Sequence, residues 1–285
     1  MIGIITDSAT NTPAEYMEFE RLENVTLRVF MGEESYEDNE LPEEKLFAYM
    51  ENNFPKTSLP KFPDIEAAFE RLVEKGCDEI ISINISSGLS GTFNIFTNVA
   101  KDIEKKHDVK IKTIDTKNIS IGAGLIVVKA VEMIKEGKSF DEIVEEISKV
   151  EKSKVLFSIP TLKFLKAGGR IGKVSGTIGE ILNIKPVITC NFEGIYETVS
   201  KSRGMKKAMK SMFDRAMEFV NGDEIHSLAV YHSGDEPETL KLVETLKNNL
   251  ADLMDKSLHF FEGKISPTMI VHTGNGLIGM AVIKK

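Results

Sequence analysis

The sequence predicts an α/β protein of two domains: an N-terminal three-layer α/β/α domain with a parallel sheet and a C-terminal α/β domain with a mixed sheet. In the first half, short apolar strand patterns alternate with helix-period patterns, as in parallel sheets with right-handed crossovers. In the second half, two adjacent strand patterns flank Glu193-Gly194, which predicts a hairpin. The 285 residues suffice for two ordinary domains. The polar segment 151–153 predicts the boundary, giving domains 1–153 and 154–285.

The N-terminal domain has strand patterns at residues 2–6, 25–30, 80–85 and 108–115. Its helix patterns lie at residues 42–53, 63–75, 93–103, 120–135 and 140–150. Pro13 suits the first turn of a helix, so residues 7–13 are typical of a βα loop. The acidic run 33–44 lacks the spacing of a calcium loop, and we expect a solvated loop there.

The C-terminal domain has strand patterns at residues 155–160, 185–192, 195–200, 227–231 and 258–262. Its helix patterns lie at residues 161–166, 175–182, 201–220 and 236–250. Because hairpin strands here are mixed with helices, we expect a mixed rather than a parallel sheet.

Composition narrows the class of protein. The formal net charge of −8 argues against a broad basic surface, so we expect no nucleic-acid partner. Cys77 and Cys190 are far apart in apolar settings, and we expect both to be reduced core residues. A strand pattern directly follows Met1, which disfavours a signal peptide, and no apolar stretch approaches the ~18 residues of a membrane span. We therefore expect a cytoplasmic protein without an integral membrane segment.

The sequence indicates a chain organised around Ser86-Ser87-Gly88-Leu89-Ser90-Gly91-Thr92, a turn between a strand and a helix. Free N–H groups at a helix start favour an anion such as a carboxylate or a phosphate. The alternative is that Ser90 or Thr92 simply caps the helix. Since ligands of open parallel sheets bind outside the carboxyl ends of the strands, Asp7, this turn and Asp115 are predicted to share one rim.

Two polar segments elsewhere are candidate anion sites. Thr57 and Ser58 stand before Pro60 in what is predicted to be a loop, where turn formation is the alternative to ligand binding. Gly168-Gly169-Arg170 is not a nucleotide-binding P-loop, because Ala167 and Val174 replace two residues which that motif requires. Arg170, helped by Arg203, is suited to a carboxylate or phosphoryl group. The alternative, which the residues alone favour, is a pair of ordinary surface arginines.

His272 follows an apolar run and precedes a glycine-rich turn, which predicts a loop histidine directed at a site. Ser90, Asp115 and His272 occur in the chain order of the α/β-hydrolase triad. However, Gly88-Leu89-Ser90-Gly91 lacks the G-x-S-x-G spacing that places the nucleophile. The other histidines have no metal-ligand spacing, so we expect neither a metal nor a cofactor.

Seven short motifs occur in order along the chain: T-D-S at 6–8, T-S-x-P at 57–60, S-S-G-L-S-G-T at 86–92, G-G-R-I at 168–171, I-K-P-V at 184–187, K-x-R at 201–203 and H-T-G-x-G at 272–276. Together they resemble the DegV family of bacterial fatty-acid-binding proteins over essentially the whole chain. The resemblance implies a long-chain fatty acid in a cleft between the two domains. It also implies that hydroxyl groups hold the carboxylate while the tail is buried.

Carried over to this chain, the resemblance places Thr57, Ser58 and the Ser90-Gly91-Thr92 turn at the carboxylate, with His272 close by. Arg170 and Arg203 would lie at the opening. Leu59 stands where relatives commonly have glutamine, which is expected to change the hydrogen bonding of the head group.

The resemblance further implies a carrier without catalytic residues. Such a carrier presents its fatty acid to a separate kinase, which makes an acyl phosphate for phospholipid synthesis. Two alternatives remain open from the sequence: an autonomous acyl hydrolase or transferase that uses Ser90 and His272, and a lipid-responsive regulator that has no kinase partner.

Overall fold

The computed structural model describes residues 1–177 and 183–285, with the side chains of 175–177 excluded. The strands are β1 Ile2–Asp7, β2 Leu22–Val25, β3 Arg28–Met31, β4 Glu34–Glu37, β5 Lys56–Ser58, β6 Glu79–Asn84, β7 Lys110–Asp115, β8 Ser153–Ser158, β9 Ile184–Cys190, β10 Tyr196–Arg203, β11 Ile225–His232, β12 Ser257–Lys264 and β13 Ile278–Lys284. The helices are α1 Ala14–Met17, α2 Glu43–Met50, α3 Phe62–Glu74, α4 Thr92–Lys106, α5 Ile121–Lys135, α6 Phe140–Ile147, α7 Lys163–Ala167, α8 Met205–Val220, α9 Pro237–Met254 and α10 Pro267–Thr273. Short 3₁₀ segments are Ser8–Thr10, Val150–Lys152 and Gly172–Thr177.

The first sheet is parallel, with the strand order β2-β1-β6-β7, and it confirms the predicted N-terminal architecture. One of its faces packs against α3 and α4, where Phe69 and Phe96 are fully buried. The other face contributes Ile4 and Ile81 to a core that includes α5. The sheet is buried on both faces, which explains why β1 and β6 read as continuous apolar runs.

The second sheet has the order β10-β9-β8-β13-β11-β12. β11 and β12 are parallel, whereas the other pairs are antiparallel, so the predicted mixed sheet and its hairpin are confirmed. The outer face packs against α8 and α9 through buried residues such as Met212 and Leu246. The inner face of this sheet packs against α5.

Helix α5 lies between the two sheets and contacts both of them. Nearly all of its residues are buried, and its apolar residues surround the whole helix rather than one stripe. A helix that is apolar on every side requires burial on every side, which this position provides. The boundary at residue 153 stays a prediction.

A third, antiparallel sheet with the order β4-β3-β5 corrects three sequence predictions. The predicted strand 25–30 is two strands, because the chain leaves the first sheet after Val25 and re-enters a sheet at Arg28. The acidic run is not a solvated loop: Glu34–Glu37 pairs with β3, and Asp38 is only 1 % exposed. The segment that contains Thr57 is likewise a strand rather than a loop.

Two helix boundaries also differ from the predictions. The helix predicted at 201–220 begins at Met205, because β10 continues to Arg203 and Gly204, with φ +83°, turns the chain. The helix predicted at 175–182 falls partly outside the described residues. Its described beginning belongs to the 3₁₀ segment Gly172–Thr177.

The two cysteines form no disulfide: Cys77 is buried and Cys190 is half-buried. Among the described helices, none combines the length and the apolar character needed to cross a membrane. The cytoplasmic location stays a prediction.

Candidate functional site

The carboxyl ends of β1, β6 and β7 meet at one rim, as the sequence predicts. The Asp7 carboxylate accepts hydrogen bonds from the Asn84 side chain and from the backbone N–H of Ile85, each 3.1 Å long. Burial raises the pKa of Asp7 to about 7. Asp7 therefore connects the end of β1, through hydrogen bonds, to the start of the turn that follows β6.

Asp115 holds the same turn from the other side. Its carboxylate accepts hydrogen bonds from the backbone N–H of Ser87, at 3.1 Å, and from the Ser87 hydroxyl. It also forms an ion pair with Lys117 at 2.7 Å. Burial alone would raise the pKa of Asp115, but the hydrogen bonds from Lys117 and Ser87 outweigh burial and lower it. Both acidic residues at this rim thus shape the turn.

The turn packs against the β9–β10 hairpin of the second sheet. The Ser86 hydroxyl donates a 2.8 Å hydrogen bond to the carbonyl of Gly194. A Cβ atom at Gly88 would lie 2.7 Å from the carbonyl oxygen of Glu193, so glycine permits this close approach. The contact brings the hairpin, and Tyr196 with it, beside the first sheet.

Ser90 lies just before the N-cap residue of α4, Gly91, and lines a cavity. Its hydroxyl accepts a 3.3 Å hydrogen bond from the backbone N–H of Thr92 and lies 2.8 Å from the Thr92 hydroxyl. Thr92 is fully buried beneath it. Gly91 faces Leu59, since a Cβ atom there would lie 3.3 Å from a Leu59 methyl group. Of these three turn residues, Ser90 alone reaches the cavity.

His272 lies opposite, with its Nε2 atom 3.0 Å from the Thr57 hydroxyl. The prediction of a loop histidine is wrong, because His272 belongs to α10. Its Nδ1 atom is buried and has no hydrogen-bond partner among the described residues. Burial, together with the positive charge of Arg170, lowers the pKa of His272 to about 4. The imidazole is therefore neutral at physiological pH.

Arg170 borders the same cavity. Its guanidinium donates hydrogen bonds to the carbonyl of Gly168 at 2.6 Å and to the carbonyl of Leu89 at 3.3 Å. These bonds tie the G-G-R-I loop to the 86–92 turn. Arg170 remains half-buried, and its charge faces the polar groups of the cavity.

Ser58 and Arg203 lie outside this cluster. Ser58 follows Thr57 in a strand, where consecutive side chains point to opposite faces, and its hydroxyl donates to the carbonyl of Leu59. Arg203 is the last residue of β10, seven residues after Tyr196. At ~3.3 Å per residue, these two positions are roughly 23 Å apart. The structure therefore does not bring Arg203 to Arg170.

Two adjoining cavities occupy the region between the sheets. The first, here named the polar cavity, measures about 40 Å³, and its polar lining includes Thr57, Ser90, Arg170, Thr268 and His272. The second, here named the apolar cavity, measures about 20 Å³. Its lining includes Val155, Phe157, Tyr231, Ile265 and Leu277.

Ile119, Tyr196 and Met269 line both cavities. The two spaces are therefore neighbours: hydroxyl and imidazole groups line one, and apolar core side chains line the other. Sequence reasoning missed these three residues, because an apolar side chain that lines a cavity follows the same pattern as one packed in the core.

Asp38 is a further residue that sequence reasoning missed. Its carboxylate accepts hydrogen bonds from the Ser8 hydroxyl at 2.7 Å and from the backbone N–H of Thr268 at 2.6 Å, in the first turn of α10. Burial raises the pKa of Asp38 above its ordinary value. The one available sequence signal, Ser266-Pro267 at a helix start, does not identify a partner 230 residues away.

The hydrolase alternative finds no support in the geometry. Asp115 is bound to Ser87 and Lys117, while no carboxylate among the described residues orients His272. His272 pairs with Thr57, and Ser90 pairs with Thr92. A triad needs a nucleophile–base–acid chain, which these pairings do not form. The described part of the chain also contains no cluster of His, Cys, Asp or Glu able to hold a metal ion.

The fold and the site together define an α/β protein in which a polar cavity adjoins an apolar cavity between the two larger sheets. The model of the DegV family, described as an uncharacterised protein family, matches residues 1–285. The chain belongs to the DegV family.

Individual relatives agree with this assignment. The chain is 36% identical to a DegV domain-containing protein of Clostridium acetobutylicum, with 100% of this chain and 99% of that protein covered. A fatty-acid-binding DegV family protein from Thermus thermophilus superimposes with a TM-score of 0.90 at 28% identity, covering 100% and 99% of the two chains. A stearic-acid-binding protein from Eubacterium ventriosum gives a TM-score of 0.87 at 27% identity, with the same coverage.

Proposed function

We propose that this protein binds one long-chain fatty acid, with the carboxylate in the polar cavity and the tail in the apolar cavity. The observation that carries the proposal is the adjacency of the two cavities, whose linings share Ile119, Tyr196 and Met269. An amphiphile with one polar end and a long apolar chain matches this order of lining groups. The fatty-acid ligands of the similar structures support the same class.

We assign the carboxylate to Thr57, Ser90 and His272. A carboxylate that leaves water is costly unless donors replace its hydration, and these three side chains supply neutral donors. Arg170 adds a positive charge at the same cavity. Ser58, Gly91 and Thr92 support the strand and the turn around the site rather than the ligand itself.

The tail supplies most of the affinity. Each buried CH₂ group contributes about 0.8 kcal/mol, so a long chain needs its polar contacts chiefly for orientation. Both cavities are narrow, and binding therefore requires the lining side chains to move apart. Met269, which lines both, is an unbranched residue suited to such adjustment.

We further propose that the bound fatty acid is presented in the cytoplasm to a separate kinase, which phosphorylates the carboxylate for phospholipid synthesis. Arg170 lines the polar cavity and would contact the phosphoryl group, and the neighbouring Lys166 is solvent-exposed and available to the kinase. Arg203, distant from the cavity, would act at the protein–protein surface. A lipid-responsive regulator without a kinase is the competing interpretation.

Mass spectrometry of the purified protein tests the binding proposal. We expect one fatty acid per chain, released by denaturation. We also expect Thr57→Val to weaken binding roughly 10- to 100-fold, because hydrogen bonds to charged groups are worth about 1.5–3 kcal/mol. Ser58→Ala is the matched control and should bind as the wild type does. An empty protein that takes up no added fatty acid would refute the proposal.

Acyl-phosphate formation tests the kinase proposal. The fatty-acid-loaded protein is incubated with ATP and extract from its source cell, and hydroxylamine traps acyl phosphate as a hydroxamate. We expect a product that depends on the loaded protein, with less from Arg170→Ala and from Arg203→Ala. If the loaded protein yields no hydroxamate, the regulator interpretation is favoured instead.

A further inference from the structure

Asp38 joins three segments that surround the polar cavity. Its carboxylate accepts hydrogen bonds from the Ser8 hydroxyl at 2.7 Å and from the backbone N–H of Thr268 at 2.6 Å. Its own backbone N–H donates a 2.9 Å bond to the carbonyl of Leu27, whose N–H in turn donates to the Ser8 hydroxyl oxygen at 3.0 Å. One buried residue therefore connects the end of β1, the approach to β3 and the start of α10.

Helix α10 receives its N-terminal cap from this carboxylate. Among the described residues, its N-cap residue Ser266 makes no side-chain capping hydrogen bond. The next residue, Pro267, has no backbone N–H, so Thr268 supplies the first amide of the helix. Amides in a first turn have no acceptor within their own helix, and Asp38 provides one from a position 230 residues away.

The same helix carries part of the polar cavity. Three of its residues line that cavity: Thr268, Met269 and His272. His272 follows Thr268 by about one turn, so the two residues share one face of the helix. The bond from the first turn to Asp38 therefore sets how far the imidazole reaches across the cavity.

The opposite side of the head-group contact is also connected to Asp38. Thr57 lies opposite Val29 in the pairing of β3 with β5. Leu27, whose carbonyl accepts the backbone bond from Asp38, directly precedes β3. Both sides of the 3.0 Å contact between Thr57 and His272 are thus tied to one residue.

We infer that Asp38 is a positioning residue for the head group of the ligand: it holds α10 against β3 so that His272 and Thr57 meet at the carboxylate. This inference rests on the proposed fatty-acid function. Asp38 lies outside the described lining of the polar cavity, so it acts on the ligand through α10 and β3.

The test compares the wild type, Asp38→Ala and Asp38→Asn as full-length, delipidated proteins. Stearic acid and octadecanol share one tail, so titration with both separates the head group from the tail. We expect Asp38→Ala to raise the Kd for stearic acid roughly tenfold and the Kd for octadecanol by less than about twofold. Asp38→Asn should restore most of the affinity, since its side-chain oxygen accepts from Thr268 and its amide donates to Ser8.

An NMR titration of the His272 imidazole in the ligand-free protein gives a second readout. Burial and the charge of Arg170 lower the pKa of His272 to about 4. When α10 loses its cap, the ring becomes hydrated, and its pKa should rise towards the ordinary value of ~6.5 in Asp38→Ala but not in Asp38→Asn.

Ser139→Ala is the matched control, because Ser139 caps α6 through the backbone N–H of Glu142 and lies outside both cavities. It should lower stability and leave the ratio of the two Kd values and the pKa of His272 unchanged. If Asp38→Ala does not fold, Ser8→Ala removes one of the two donors to Asp38 and should move both readouts in the same direction by a smaller amount.

A folded Asp38→Ala or Ser8→Ala protein with the wild-type ratio of Kd values and the wild-type His272 pKa overturns this inference alone. Equal weakening of stearic acid and octadecanol also overturns it, because that result assigns Asp38 to packing around the tail. Failure of the wild type itself to bind stearic acid overturns the proposed function, and this inference with it.

Discussion

Replacing Gly168 by alanine would place a methyl group against the imidazole of His272. The new Cβ atom would overlap Nδ1 and would lie 3.1 Å from Cε1 and 3.2 Å from the carbonyl oxygen of Phe164. Gly168 has φ −78°, which alanine adopts without strain. The conflict is therefore steric, and it acts directly on His272.

The imidazole has to move, and its 3.0 Å contact with Thr57 is lost as it does so. Overpacking costs about 1–3 kcal/mol, and a lost hydrogen bond costs about 0.5–1.5 kcal/mol. Partial relaxation of the exposed loop reduces the sum, so we expect the free energy of unfolding to fall by about 2 kcal/mol. With the carboxylate bound as proposed, the Kd for fatty acid should rise about tenfold.

Gly169→Ala provides the control for this variant. Gly169 has φ +72°, and no atom of the described residues lies within 4 Å of the position of its Cβ atom. Alanine there should cost about 1 kcal/mol through backbone strain alone and leave the fatty-acid affinity unchanged. Urea unfolding and fatty-acid titration measure both quantities. Wild-type stability and affinity in Gly168→Ala would show that the packing of His272 against this loop is wrong.

Two further predictions concern buried charge. The pKa of Asp7 is raised to about 7 in the folded state, from an unfolded value of ~3.8. Between these two pH values the folded state holds a proton that the unfolded state releases. The stability contributed by Asp7 therefore falls as pH rises through this range. The free energy of unfolding of Asp7→Asn, measured relative to the wild type, should therefore be higher at pH 8 than at pH 4, by at most about 4 kcal/mol. Urea unfolding in which this difference does not change with pH would contradict the prediction. Lys129, 6% exposed, pairs with Glu146 at 2.5 Å, while Glu146 also binds Lys149 and Lys152. Glu146→Gln should lower the free energy of unfolding by about 3 kcal/mol, because it leaves Lys129 without its counter-charge. Lys129→Met should change the stability little, as measured by thermal unfolding. Equal losses of stability in the two variants would contradict this reasoning.

Much of the fold could be predicted from local patterns. The apolar runs of β1 and β6, the helix that follows the 86–92 turn, and the hairpin at Glu193-Gly194 each carry a signal within a few residues. Polar residues at the ends of parallel strands likewise predict the shared rim, because strand direction alone brings those ends together. The third sheet was missed, since charged residues in β4 conceal its strand pattern.

The site was predicted only in part. Thr57, Ser90, Arg170 and His272 were identified and do line one cavity. Ser58 was grouped with Thr57 because the segment was expected to be a loop, whereas a strand directs adjacent side chains to opposite faces.

The sequence by itself determined most secondary elements of the two larger sheets, the parallel and mixed character of those sheets and the chemical types available for a site, because these depend on neighbours along the chain. Only the tertiary structure decided that Thr57 and His272, 215 residues apart, lie at hydrogen-bonding distance. It also decided that Asp38 is buried at the start of α10, and that Tyr196 lines a cavity. Contact and burial depend on how the two sheets pack around α5, and a local pattern does not distinguish the wall of a cavity from the interior of a core.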